Sequence, residues 1–273
     1  MKISSRTILA AALLTALPMG SALACTITAW NGTPIGSPTA GGPASTPAVA
    51  RYSGVCALAT NSNQAVVDNT PAAEAVYRAR FYVLTKSVGG ATTIFKATTA
   101  DNGGGGTNVA TVEYNGSAFS FTQNGSPVGS PITGIAANKW YSVEVFYKAG
   151  AAFTATVAGA GSDTAIGTVN VTTGIGSATV GSAVLGVTSG TATGIGFDAF
   201  VSTRSEDTAI GRLCRGDVNG DNSINVFDTA AVINERLNGT LASGQPDCNE
   251  DGSINVFDTS CVVQLRLDAV TCN

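Results

Sequence analysis

Twelve oxygen-bearing residues within the last sixty positions stand at the spacing of a hard-cation cage. Asp217-Val-Asn-Gly-Asp-Asn-Ser-Ile-Asn-Val-Phe-Asp228 returns thirty positions later as Asp247-Cys-Asn-Glu-Asp-Gly-Ser-Ile-Asn-Val-Phe-Asp258. Asp217, Asn219, Asp221, Ser223, Asn225 and Asp228 fall at positions 1, 3, 5, 7, 9 and 12 of the first loop; Asp247, Asn249, Asp251, Ser253, Asn255 and Asp258 do so in the second. Ca2+ takes six to eight oxygens at roughly 2.3–2.6 Å, and a twelve-residue loop can curl so that alternate residues point inward. Position 7 would offer its carbonyl, position 9 would act directly or through water, and position 12 would close the shell from the first turn of a following helix. Two calcium ions are therefore expected. Position 6 needs a positive φ, which Gly252 gives freely and Asn222 tolerates. Ile224 and Ile254, at position 8, are expected to face inward and pair the loops. Clusters of Asp, Asn, Gly and Ser also make ordinary turns, but two in register, each followed by an apolar helical pattern (Phe227, Ala231, Ile233, Leu237 and Phe257, Cys261, Val263, Leu267), favour metal.

With Asp at position 12 and a helix after each loop, the segment from Cys214 to Asn273 resembles a dockerin type I module. The resemblance implies docking to a cohesin partner, read largely by residues at loop positions 10 and 11. Those are Val226 and Phe227, and Val256 and Phe257, bulkier and more apolar than the small hydroxyl pair common in cellulosomal dockerins. Another protein receptor or an intramolecular partner stays open beside a cohesin.

Other chemistries find little support. The chain has no histidine, which removes Ser-His-Asp triads, and no CxxC pair to favour zinc. Glycoside hydrolysis usually needs two carboxylates about 5–9.5 Å apart. The acids before residue 214 are almost all isolated; Glu113 and Glu144 lie on strand patterns, where alternation with valine marks a solvent face. No catalytic residue is assigned. Arg215-Gly216-Asp217 spells an adhesion tripeptide, but its Asp already serves as position 1. The glycine run Gly103–Gly106 reads as a loop; no Lys-Ser/Thr follows to make a phosphate cradle.

These residues must be placed by a larger scaffold. Residues 1–24 carry Lys2 and Arg6, an apolar run from Ile8 to Leu17 and a small-residue exit, Ala22-Leu23-Ala24, as in a bacterial-type secretory signal. Cys25 follows the cut and leaves lipidation as an alternative. No later stretch is long and apolar enough to span a bilayer, so a secreted or cell-surface location is expected. Six cysteines in an exported chain favour disulfides. Cys25 would pair with Cys56. Among Cys214, Cys248, Cys261 and Cys272 three connectivities are possible; Cys248 with Cys261 and Cys214 with Cys272 is preferred.

Residues 214–273 hold nine acids against three arginines, six of the acids at the ligand positions of the two loops. Residues 25–213 hold nine of each sign, which points away from nucleic acid and anionic membranes. From 25 to about 210 the chain turns to Gly, Ala, Thr, Ser and Val, with alternating stretches at Val76–Val83, Val109–Tyr114, Ser117–Gln123, Trp140–Lys148, Phe153–Val157, Thr168–Val171, Ala183–Val187 and Ile195–Ser202. Period two with β-branched and aromatic residues predicts strands. Asn115-Gly116 and Asn124-Gly125 predict tight turns. The fold expected is mostly β: a two-sheet sandwich over 25–210 and a small helical, paired-calcium-loop domain over 214–273.

Tyr77-Arg-Ala-Arg-Phe-Tyr82, Trp140–Tyr147 and Phe197–Arg204 resemble strands of concanavalin A-like jelly rolls of the laminin-G type. That likeness implies a jelly-roll β-sandwich, and a glycan or extracellular matrix ligand. Trp140 reads as core and Trp30 as the better sugar platform. Asn31-Gly-Thr-Pro-Ile-Gly-Ser-Pro38 resembles Asn124-Gly-Ser-Pro-Val-Gly-Ser-Pro131, so an N-terminal arm could pair with a neighbour. Three functions follow: a non-catalytic binding component, within polysaccharide degradation or outside it; a glycoside hydrolase or subunit of a polysaccharide-degrading complex; or a self-assembling cell-surface or filament protein.

Overall fold

The computed structural model describes residues 25–100, 106–206 and 208–272. The export signal expected over 1–24, Asp101, Asp207 and most of the Gly103–Gly106 loop lie outside the described residues.

The chain is mostly β, with two helices near its carboxyl end. Among the described residues fourteen strands run in order: β1 (Thr39–Gly41), β2 (Ala57–Thr60), β3 (Gln64–Asp68), β4 (Val76–Leu84), β5 (Thr92–Thr98), β6 (Asn108–Tyr114), β7 (Ala118–Gln123), β8 (Ser126–Pro127), β9 (Ile132–Thr133), β10 (Trp140–Lys148), β11 (Ala152–Gly159), β12 (Ser162–Val171), β13 (Ser182–Ser189) and β14 (Ile195–Thr203). One sheet has the order β1-β2-β14-β4-β10-β11-β12 and the other β3-β13-β5-β6-β7-β8, with β9 beside β7. Neighbours are antiparallel, and the inward faces meet in one core that includes Tyr77, Phe81, Phe95, Phe119, Phe121, Val143 and Phe153.

Alternation made β4, β10 and β14 legible nearly end to end, but of β12, the longest strand, only Thr168–Val171. It failed where both faces are covered: Thr92, Thr93 and Thr98 of β5 are buried with their neighbours. Thr98 Oγ1 meets Ser182 Oγ at 2.9 Å, so these buried hydroxyls satisfy one another, and Thr93 Oγ1 meets the exposed Ser189 Oγ at 2.8 Å. At the β6–β7 hairpin Tyr114 pairs with Phe119, which makes the turn Gly116-Ser117, one residue later than expected. Gly116 takes φ 98°, while Asn115 uses its side chain to accept from Ala118 N. Asn124 and Gly125 do both take positive φ, 48° and 76°. The N-terminal arm pairs within its own chain: Ile35 bridges Ala65, and Gly32 N donates to Val67 O.

The outer face of the β4–β10 sheet carries a second cluster, Tyr52, Tyr82, Leu84 and Trp140. Its stacked Tyr52 and Tyr82 rings lie 3.6 Å apart. β14 bulges at Ala199 (φ 47°), and the half-buried Asp198 beside it accepts from the amides of Tyr52 and Ser53 at 2.6 and 2.9 Å, fastening the 50–53 segment over that face. Helices α1 (Val226–Asn238) and α2 (Val256–Leu267) form a third cluster around Val218, Val232, Val262 and Leu265. Disulfides join Cys25 to Cys56, Cys214 to Cys272 and Cys248 to Cys261.

Candidate metal centre and docking face

Each loop is closed by the residue types its positions demand. In the first, Asp217 Oδ1 accepts from Asp221 N at 3.0 Å and Oδ2 from Asn222 N at 2.9 Å; in the second, Asp247 accepts from Asp251 N at 3.0 Å and Gly252 N at 2.7 Å. Asn222 and Gly252 take φ 62° and 82°. At position 9, Asn225 and Asn255 cap the helices, accepting from Phe227 N and Phe257 N at 2.7 and 2.8 Å. Position 12 completes a capping box: Asp228 and Asp258 accept from Asn225 N and Asn255 N at 2.8 and 2.7 Å, and their other oxygens accept from Asn219 N and Asn249 N, both at 3.1 Å. A carboxylate at the third helical position reaches back over the loop, so one side chain both caps the helix and orders the loop. Ile224 and Ile254 turn toward the module's core.

The electrostatics call for a cation. Asp217, Asp228, Asp247 and Asp258 are buried, and among the described residues none forms an ion pair with Lys or Arg. Burial, and then the nearby Asp258, push the Asp247 carboxyl well above the ordinary carboxylate range. Burial also raises Asp258. Buried charge without a counter-ion is costly, and hard oxygen donors of this kind fit calcium. Among the described residues no three Asp, Glu, Cys or His side chains converge by themselves; each loop mixes carboxylates with Asn amides and a Ser carbonyl.

The expected helix faces divide differently from the apolar pattern. Val232 and Val262 are fully buried, whereas Phe227, Leu237, Phe257 and Leu267 are 69%, 71%, 67% and 71% exposed. Val226 and Val256 are also exposed. The first turn of each helix must leave its position-12 carboxylate facing the loop, which turns positions 10 and 11 outward. Arg236 Nη1 donates to Thr259 Oγ1 and Arg266 Nη1 to Thr229 Oγ1, at 2.8 and 3.4 Å, so the two repeats clasp each other reciprocally.

Two acids outside the ligand set join the module to the sandwich. Glu235 of α1 pairs with Arg51, and its Oε2 accepts from Ala242 N at 2.9 Å. Glu250, at position 4 of the second loop, accepts from Tyr52 Oη at 2.7 Å and Gly161 N at 2.8 Å and pairs with Arg212. Trp140 N donates to Glu250 O at 2.9 Å. Glu250 holds φ 57°, a conformation costing a non-glycine residue on the order of 1–3 kcal/mol unless its surroundings fix it. Burial raises its carboxyl pKa, opposed by Arg212. Arg215 adds a bidentate contact to Asp163. Position-by-position comparison of the repeats could have exposed both acids, since Glu235 stands where the sister repeat has Leu265 and Glu250 where it has Gly220.

The strand glutamates do not meet. Glu144 accepts from Arg78 Nη1 at 2.8 Å and from Ile210 N and Gly211 N at 3.2 and 2.8 Å, tying down the segment that leads to the helical module. Its neighbours Val143 and Val145 are core, as are Val112 and Tyr114 beside Glu113, so the two glutamates project outward from opposite sheets. Trp140 is fully buried; Trp30 is half-buried, 4.9 Å from the Phe200 ring, at a cavity of about 440 Å³ that Asp68, Thr70, Asp198 and Ser202 also line.

Residues 215–265 match the family described as the dockerin type I domain, and the C-terminal module is one. No curated protein matches the chain. Solved structures similar to it include a Trypanosoma rangeli sialidase (14% identity, 54% of this chain and 25% of that one, TM-score 0.40). The botulinum neurotoxin type G receptor binding domain (11%, 64% and 43%, 0.40) is another. A third is the family 7 alginate lyase A1-II' (12%, 54% and 72%, 0.39). The chain thus spans a quarter of the sialidase and under half of the receptor binding domain. Likenesses this distant carry no argument about activity.

Proposed function

We propose that this is a secreted or cell-surface, non-catalytic modular protein, with an export signal over 1–24, a sandwich over 25–210 and a docking module over 214–273. The module binds two calcium ions through the position 1, 3, 5, 7, 9 and 12 residues of its loops, and displays Val226, Phe227, Val256 and Phe257 to a cohesin-type protein. The observation that carries this reading is the set of four buried loop carboxylates that, among the described residues, form no ion pair with Lys or Arg. The exposed apolar turn at the start of each helix supports the choice of face. The partner would be one found in polysaccharide-degrading assemblies.

The sandwich takes the glycan or matrix ligand. The cavity beside Trp30 and Phe200 has what a sugar needs, an aromatic wall with carboxylate and hydroxyl groups nearby. The arrest of Glu144 by the 210–211 amides supports a non-catalytic sandwich. The test is binding of the mature chain to immobilised cohesin modules with calcium and with chelator, alongside a glycan array. Calcium-dependent capture that falls with Phe227→Ala or Phe257→Ala is expected. Capture indifferent to calcium and to both substitutions would refute the docking face.

A further inference from the structure

The two loops carry the same ligand residues but stand in different surroundings. Position 4 of the first loop is Gly220, exposed, with φ 78°. Position 4 of the second is Glu250, fully buried, and four groups of the sandwich and its connecting segment grip it: Tyr52 Oη, Gly161 N and Arg212 on the carboxylate, Trp140 N on the carbonyl. Its chain neighbours are Asn249 and Asp251, ligand positions 3 and 5. Position 6 adds to the grip. A Cβ at Gly252 would lie 2.9 Å from Leu84 Cδ1, so the loop's turn rests directly on the sandwich's outer cluster.

Resting on the calcium reading above, we infer that the sandwich acts as a built-in organiser of the second calcium loop, with Glu250 as the positioning residue. Calcium must fix the backbone of positions 3 to 6 to gather its ligands. In the first loop the module's own Gly244 N and Ser243 Oγ hold only the carbonyls of positions 2 and 3, Val218 and Asn219, and the ion bears the ordering of positions 4 to 6. In the second, the sandwich already holds positions 4 and 6 in the required left-handed conformation, and apparent affinity rises with the fraction of the loop that is competent before binding. The second loop therefore takes calcium more tightly than the first. It stays filled, and seated on the sandwich, at calcium levels that empty its twin. The docking helices then follow the sandwich as one body rather than swinging on a tether.

The test is calorimetric calcium titration of the mature full chain in two backgrounds, Asp221→Ala to disable the first loop and Asp251→Ala to disable the second. Glu250→Gly copies the first loop's residue, removing the carboxylate contacts while keeping the left-handed backbone free of strain. It is expected to weaken calcium binding roughly tenfold or more where the second loop is read, and less than twofold where the first loop is read. Tyr52→Phe, which keeps the ring in its stack, should shift the second loop in the same direction by a smaller factor and carries the test if Glu250→Gly fails to fold by circular dichroism. Hydrogen exchange in chelator should show amides 249–252 protected in the parent and exposed in Glu250→Gly. Equal response of both loops, or none in the second, overturns the inference and leaves the calcium reading standing. A parent chain that takes up no calcium overturns both.

Discussion

The two calcium-type loops agree at nine positions of twelve and differ at 2, 4 and 6. Each difference is an adaptation of the second loop to what surrounds it. Cys248 replaces Val218 and is bonded to Cys261, which itself replaces Ala231. Glu250 replaces Gly220 and is held by Tyr52, Gly161 and Arg212. Gly252 replaces Asn222 and lies against Leu84. The helices show the reverse asymmetry: α1 buries Glu235 against Arg51, where α2 buries Leu265 in the module's own core. An internal repeat thus separates two demands. What both copies keep serves the ion and the cap; what one copy changes serves the neighbour.

The largest effect is expected from breaking the α1 anchor. Arg51 has a fully buried side chain, so Glu235→Leu, which copies the sister repeat, strands a charge and should cost about 3–5 kcal/mol in denaturant unfolding of the full chain. The reverse change, Leu265→Glu, should be at least as damaging, because it places a carboxylate in the module's apolar cluster. Calcium removal comes next. At a hundredfold excess over the dissociation constant each ion contributes about 2.7 kcal/mol, so chelator, which removes both, would cost about 5 kcal/mol, comparable to the anchor, seen as a fall in melting temperature and helical signal.

Smaller effects sharpen the contrast between loops. Tyr52→Phe removes a buried hydrogen bond to a charged group and should lower stability by about 1.5–3 kcal/mol. Exchanging the position-6 residues separates space from backbone: Asn222→Gly should change stability by less than about 1 kcal/mol, whereas Gly252→Asn must also displace Leu84 and should cost more than its counterpart. Smallest of all, Phe227→Ala and Phe257→Ala should leave thermal stability within about 0.5 kcal/mol, since both rings are exposed, while reducing partner capture.

Legibility in the sequence tracked how local the physics is. The helix after each loop is written in adjacent residues, with Asn225 and Asp228, or Asn255 and Asp258, spaced for a capping box, and β4, β10 and β14 announce themselves by alternation, as the first six residues of β12 do not. β5, covered on both faces, shows no alternation, and β1, β2, β8 and β9 are too short or too rich in small residues to register. The apolar pattern of each helix was visible but not its direction, because Phe227 and Leu237 look like core until the position-12 carboxylate is seen to fix the helix rotation. Glu235 and Glu250 were hidden among nearby acids, and their partners Arg51, Tyr52 and Arg212 lie far away or across a segment whose path the sequence does not reveal. Glu144 shows the converse: its strand position was plain, but its role as a strut for residues 210 and 211 needed the fold.

The most direct test is the calcium content of the purified mature chain, measured by equilibrium dialysis with elemental analysis. Two ions per chain are expected, falling to one when Asp217→Ala or Asp247→Ala disables a single loop. A parent chain that binds none, or one whose content neither substitution changes, would contradict the assignment.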